Sequence, residues 1–270
     1  MSQVRLLRVG NVPYLNARPL GVGLSSEAGL AVEEDLPSAL VEKLRDARLD
    51  VAFVSSIEIF RKPGYRVIPG LGVASRGSVE SVLLFHRAEL ADGCTLSLDT
   101  SSRTGEALVR IACERFLGLH GVRYRHDPPT VDPRTIPADG VLRIGDPAMR
   151  YAAAVAGEME RLDLGTLWNE RTRLPFVYAM WVVAPGVRLG DRLQVFYRAL
   201  ERGLAERCRL AEEASRSLPL TFDQAWHYLA DVIHYRLGEE DLEGLLRFRD
   251  LAAELGLARR DISLELVGEA

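Results

Sequence analysis

Residues 36–56, "LPSALVEKLRDARLDVAFVSS", run an amphipathic helix into an apolar, β-branched stretch with almost nothing between them. Leu36, Leu40, Leu44 and Ala47 share one helical face, Ser38 stands near its start, and "DVAFVSS" follows at once. Before this unit, "VRLLRVG" is a short apolar run ending in Gly10, and after it come "YRVIPGLGVAS" and "ESVLLFH", joined by glycines. Strands alternating with a helix over such short links predict a parallel sheet covered by helices, an α/β fold.

The pattern repeats. "CTLSLD" reads as a strand, "TSSRTGEALVRIACERFLGL" as polar caps followed by Leu108, Ile111, Ala112 and Phe116 at helical spacing, and "GVLRIGDPAMRYA" as a strand running into a helix. The proline-rich "HDPPTVDPRTIPADG" between them reads as a surface loop. "LPFVYAMWVVAP" suits a strand buried on both faces. A helical tail follows: Asp191 to Gln194 caps one helix. Thr221 and Gln224 form a capping box opening a second that ends at Gly238, and a third carries acids in its first turn. The spacing predicts two lobes, residues 1–90 with 178–270 and residues 91–177, joined by two hinge strands around a cleft.

The chain carries 34 Lys and Arg against 38 Asp and Glu, a net of −4, without a basic block, which excludes a nucleic-acid partner or a membrane-facing patch. Cys94, Cys113 and Cys208 are too scattered for a metal site or a disulfide framework and point to a reducing cytoplasm. His227 and His234 fall two turns apart on the second tail helix, a spacing more common on a surface than in a ligand pair. The N-terminus reads as a first strand rather than a signal peptide, and no segment reaches the ~20 apolar residues of a bilayer span.

Polar residues gather where strands end. Asn11, Tyr14, Asn16 and Arg18 follow the first, Ser55 and Ser56 the second, and Asp99 to Thr104 the first of the second block, with Gly145 and Asp146 after another. In open α/β sheets ligands bind beyond the carboxyl ends of strands, where helix N-termini present free N–H groups. Each cluster has a bland reading too. "DTSSRT" offers helix caps, although four hydroxyls in five residues exceed what one cap uses. "VSS" is ordinary turn chemistry, Asp146 is either an N-cap or a cleft contact, Ser81 is equally a polar strand-face residue, and Arg18 a surface charge. No phosphate-binding glycine loop, HExxH or GxSxG appears. Amides, hydroxyls, one or two carboxylates and helix N-termini suit a small carboxylate-bearing molecule and not an activated nucleophile.

The segments "RVGNVPYLNARPL", "LDVAFVSSIE", "GSVESVLLF", "DTSSRTGEALVRI", "LRIGDPAM" and "DLGTLWNERTRLPFVYAMW" together resemble the menaquinone-biosynthesis family whose members act as chorismate dehydratases in the futalosine pathway. The resemblance runs in order from about residue 6 to residue 183. It implies the two-lobed fold of type II periplasmic binding proteins, loss of water from chorismate to give 3-[(1-carboxyvinyl)oxy]benzoate, and no metal or organic cofactor. Two positions depart from the family pattern: Gly105 stands where a hydroxyl residue is expected, and Arg173 where a glycine is expected before "LPF".

On this reading the partner is the dicarboxylate chorismate, with a homodimer left open. Ser101, Ser102 and Thr104, with the N–H groups at Gly105 and its neighbours, hold one carboxylate. Ser55, Ser56 and Ser81 hold groups from the other lobe, and Tyr14 and Asp146 add contacts. Asn16 is the catalytic candidate, near the departing hydroxyl or the enolpyruvyl carboxylate. Two alternatives remain: a non-catalytic binding protein or sensor for a small carboxylate, and the sister enzyme making 1,4-dihydroxy-6-naphthoate. The latter requires a histidine-based site, for which His86 is the nearest candidate.

Overall fold

The helix-into-strand unit folds largely as its pattern dictates. In the structure, a computed structural model that describes residues 5–268, Pro37 locks the first helical turn and Leu40, Val41 and Leu44 are buried. The helix stops at Arg45, earlier than the apolar spacing suggests. Ala47 lies beyond it at φ +53°, in a tight turn, and Leu36 is the half-exposed residue before it. Residues 51–55 follow as a wholly buried strand.

The strands are β1 (Leu7–Asn11), β2 (Leu30–Glu34), β3 (Val51–Ser55), β4 (Arg66–Ser75), β5 (Val82–His86), β6 (Thr95–Asp99), β7 (Arg123–Asp127), β8 (Gly140–Ile144), β9 (Glu160–Asp163), β10 (Phe176–Val183) and β11 (His234–Arg236). The helices are α1 (Arg18–Gly21), α2 (Pro37–Arg45), α3 (Arg103–Ile111), α4 (Gly145–Ala154), α5 (Leu164–Thr172), α6 (Leu193–Ala205), α7 (Arg207–Ser217), α8 (Phe222–His227) and α9 (Glu239–Glu254). Val4, the start of the first expected strand, lies outside the described residues.

Two mixed sheets result, ordered β11-β4-β10-β3-β1-β2 and β7-β6-β8-β5-β9. Among the strands, β1 pairs in parallel with β2 and β3, and β6 with β7 and β8; a lone parallel bridge joins Val67 to Leu266. The return strand β10 is buried along most of its length because it inserts between β3 and β4, antiparallel to both. The outward crossing falls earlier than the expected residue 90. The chain leaves the first sheet after Ser75, and Val82–His86 already pairs with β8 and β9 in the second. It returns through residues 173–175, where Gly244 of α9 packs so closely that a Cβ would stand 2.1 Å from the Pro175 carbonyl oxygen.

The tail departs from expectation at one place. The second tail helix opens on its capping box but ends in a wider turn at Tyr228–Val232, and His234–Arg236 becomes an edge strand against β4. Ile233 and Tyr235 are buried while Arg236 faces out, a two-residue period that a helix cannot satisfy. His227 and His234 therefore share no helix. His234 pairs with Asp241 at 2.7 Å and His227 with Asp231 at 2.9 Å.

Candidate active site

Between the sheets lies a narrow cleft with a free volume of about 50 Å³, below the roughly 300–1,000 Å³ of open small-molecule sites. Its walls come from strand ends and from the loops that leave them. Tyr14 and Asn16 come from the loop after β1, Ser55 from the end of β3, and Tyr178 and Ala179 from β10. Ser102, Thr104 and Gly105 come from the start of α3, and Ile144 and Gly145 from the start of α4. No charged side chain lines it among the described residues. Its polarity consists of hydroxyls, one amide and the first-turn N–H groups of α3, which helix geometry leaves without intrahelical acceptors.

The Tyr14 ring is placed by Gly145. That residue sits at φ +59°, and a Cβ on it would stand 2.7 Å from the ring, so glycine both permits the turn and makes room. Burial pushes the Tyr14 phenol up to about 12, with neighbouring Ser101 pulling the other way. The Tyr14 hydroxyl is buried and has no partner in hydrogen-bonding geometry. Asn16 is half-buried at the cleft wall, whereas Asn11, beside it in sequence, turns its amide back against Gly21. Arg18 pairs with Glu213 at 3.9 Å on the surface and does not line the cleft.

Other predicted residues hold the two halves together. Asp146 does not line the cleft: its Oδ1 accepts the Leu15 N–H at 2.8 Å, tying the start of α4 to the loop after β1. Burial raises its carboxyl above the ordinary aspartate range, opposed by that N–H and by Arg18. Thr104 Oγ1 accepts the Ile57 N–H at 3.2 Å, and Ser56 Oγ, 3.4 Å from Thr104, donates to the Val177 carbonyl at 2.7 Å. Ser81 is fully buried and accepts from the Tyr228 hydroxyl at 2.7 Å. Ser101 lies behind the wall, bonded to Asp99. So Tyr14, Asn16, Ser55, Ser102, Thr104 and Gly105 meet at the cleft, while Ser56, Ser81, Ser101 and Asp146 stand one layer back.

His86 is at the far end of β5, its Nδ1 on the Ala88 carbonyl, and is absent from the cleft. A larger groove, about 500 Å³, runs between α4 and the start of α8 past Ser78 and Glu80, and contains none of the predicted site residues. Among the described residues, no group of three His, Cys, Asp or Glu side chains is placed to hold a metal ion. No helix among the described residues is long and apolar enough to cross a membrane.

This architecture has relatives. The sequence model of a family described as menaquinone biosynthesis matches residues 7–254. The chain belongs to that menaquinone-biosynthesis family. It is 32% identical over 263 residues to a chorismate dehydratase of Thermus thermophilus, covering 90% of this chain and 93% of that one. A chorismate dehydratase of Campylobacter jejuni is 25% identical, over 92% of this chain and 99% of that one. In fold it matches a protein of Archaeoglobus fulgidus (TM-score 0.72, 17% identity, 93% and 98% of the two chains). It also matches the periplasmic aliphatic sulphonate binding protein of Escherichia coli (TM-score 0.68, 13% identity, 99% and 94%). The fold is thus that of periplasmic binding proteins.

Both departures from the family pattern have a visible local setting. Arg173 closes α5 at φ +65°, a left-handed position that glycine occupies without strain. Gly105 donates its N–H to the Ser102 capping hydroxyl at 3.0 Å, so that N–H is spent inside the protein. A Cβ there would stand 2.7 Å from Ser102 Oγ and 3.2–3.3 Å from Ile144 and Leu142, so in this chain α3 sits too close to β8 for a side chain. Tyr178 is the polar lining residue that sequence reasoning missed, beside apolar ones such as Phe53 and Val73. Its hydroxyl pairs with Ser75 at 2.9 Å, and a lone phenol inside an otherwise apolar strand was the available signal.

Proposed function

We propose that this chain is a chorismate dehydratase, taking water from chorismate to leave 3-[(1-carboxyvinyl)oxy]benzoate on the futalosine route to menaquinone in the cytoplasm. The observation that carries it is the cleft itself: a chain of this family brings hydroxyls, one amide and helix N–H groups from both halves to one narrow, largely apolar cleft with no charged side chain on its wall. Loss of the ring hydroxyl and the neighbouring ring proton turns a cyclohexadiene into a benzene ring. The reaction is driven by aromatisation, and the protein has to orient, desolvate and steer. The two halves, hinged at the crossings on either side of residues 82–172, close over the substrate.

Ser102 and Thr104, with the opening N–H groups of α3, hold one carboxylate from the second half. Ser55 faces them from the first half, and the Asn16 amide stands by the departing hydroxyl. The enolpyruvyl carboxylate of the substrate takes the ring proton, which then leaves with the hydroxyl as water. The test is to mix purified protein with chorismate and follow benzoate-type ultraviolet absorbance. Growth of that band is the expected result. A flat spectrum from folded protein overturns the reading, and thermal stabilisation by chorismate without turnover would make the chain a binding protein.

A further inference from the structure

Four arginines meet at the edge of the first sheet farthest from the cleft. Arg5 and Arg8 flank the start of β1, and Arg188 and Arg192 lie between β10 and α6. No basic run in the sequence announces them, because folding joins the two pairs: Arg192 Nη1 donates to the Arg5 carbonyl at 3.3 Å across 187 positions. With Asp50 they line a groove with a free volume of about 430 Å³, in the range of small-molecule sites. Tyr14, Asn16 and Ser55 stand at the opposite ends of β1 and β3, a strand's length of about 17 Å away. The charge in the groove is unbalanced. Asp50, 4% exposed, is the one carboxylate on the wall, and two arginines share it. Arg8 grips it through Nε on Oδ2 at 3.1 Å and Nη2 on Oδ1 at 2.8 Å, and Arg5 adds Nη2 on Oδ1 at 2.9 Å. Arg192 donates to the backbone carbonyls of Arg5, Arg188 and Leu189 at 3.3–3.4 Å, which leaves its charge unopposed. Arg188 is exposed and makes no hydrogen bond or ion pair among the described residues. The wall thus sets four positive charges against one negative, in a chain whose net charge is −4.

We propose that this groove binds a small organic diphosphate, of the nucleoside diphosphate class, at a site separate from the cleft. Guanidinium forks match oxyanions two oxygens at a time, and several converging forks suit phosphoryl groups, whose oxygens face several directions, better than one planar carboxylate. Asp50 fixes the Arg5 and Arg8 forks beforehand, and Arg188 and Arg192 meet the anion from the β10 side. The groove has room for more than the anion: Leu6, half-exposed, and Pro185 give its wall an apolar surface for an organic body. The inference does not rest on the dehydratase reading.

The test titrates the full chain by calorimetry with ADP and with inorganic pyrophosphate, at low salt and at about 0.15 M, beside Arg188→Glu and Arg161→Glu. Arg161 is exposed on the second half, so its reversal changes the net charge equally but away from this groove. Both anions are expected to bind one to one, more weakly at the higher salt. Arg188→Glu should weaken both at least about tenfold with an unchanged melting temperature, because Arg188 has no partner inside the protein to lose; Arg161→Glu should stay within about twofold. Failure of both anions to bind at concentrations on the order of millimolar overturns the proposal. So does an equal loss in the two variants, which would make the attraction one of net charge. Phosphatidylglycerol vesicles offer the same phosphate chemistry from a lipid source. Binding to vesicles without binding to ADP or pyrophosphate would make this edge a membrane-facing patch and overturn the small-molecule site.

Discussion

Asp146→Ala tests whether the carboxylate after Gly145 works as a clasp between the halves. Asp146 Oδ1 is the acceptor for the Leu15 N–H, at 2.8 Å, and Leu15 is fully buried, so truncation strands that donor in the closed form. A hydrogen bond to a charged group contributes about 1.5–3 kcal/mol. Part of this is offset because the truncation also removes a carboxylate whose charged form burial disfavours. A net loss of about 1–2 kcal/mol from the closed state remains, which at 1.4 kcal/mol per factor of ten raises KM for chorismate about 5- to 30-fold. Chemistry within the closed complex is untouched, so kcat should change by less than about threefold at saturation. Steady-state kinetics followed by product absorbance reads both numbers. Asp146→Asn keeps an oxygen in place and should stay within about threefold of wild type. An unchanged KM in Asp146→Ala, or an Asn variant as impaired as the Ala variant, would refute the clasp.

Three further outcomes are expected. Asn16→Ala should lower kcat about 100-fold, the scale of removing one donor to developing charge, while the half-buried position leaves the melting temperature unchanged; turnover near wild type would take Asn16 out of the mechanism. Arg173→Gly should stabilise the protein by about 0.5–1 kcal/mol in denaturant unfolding, because the φ of +65° strains any residue with a Cβ; a destabilised variant would show that the Arg173 side chain matters more than its backbone. Burial pushes the Asp50 carboxyl up, but hydrogen bonds and charge from Arg8, with Arg5 behind it, hold it below the ordinary value of 3.8. A depressed folded value means stability that is present above 3.8 and lost as pH falls through the folded value, so Asp50→Asn should flatten the acid limb of a stability-against-pH curve; an unaltered limb would contradict the pairing.

The central strands β1, β3, β6, β8 and β10 were legible because a strand buried on both faces must be apolar along its length. The four strands that no sequence pattern announced, β2, β7, β9 and β11, are the four sheet edges. "LAVEE", "RYRHD" and "ERLD" carry charges that an edge tolerates and a helix or loop tolerates equally, so their pairing is decided by a neighbour already in place. The outward crossing was hidden for a related reason: β5 is as apolar as β3, and apolarity does not say which of two sheets a strand joins.

The candidate site divides along the same line. Local sequence put Tyr14, Asn16, Ser55, Ser102 and Thr104 at strand ends and helix starts, and strand ends gather wherever parallel β-α units stack. Which of those side chains face the cleft was settled by packing between distant segments. Asp146 reaches Leu15 across 131 positions, Ser81 meets Tyr228 across 147, and Asn11 is turned aside by Gly21. The sequence by itself determined which residues could be buried and which chemistry they carry, because burial and capping act over a few neighbours. Only the tertiary structure decided which of those polar groups spend their hydrogen bonds inside the protein and which remain at the cleft, because that choice depends on partners that folding brings together.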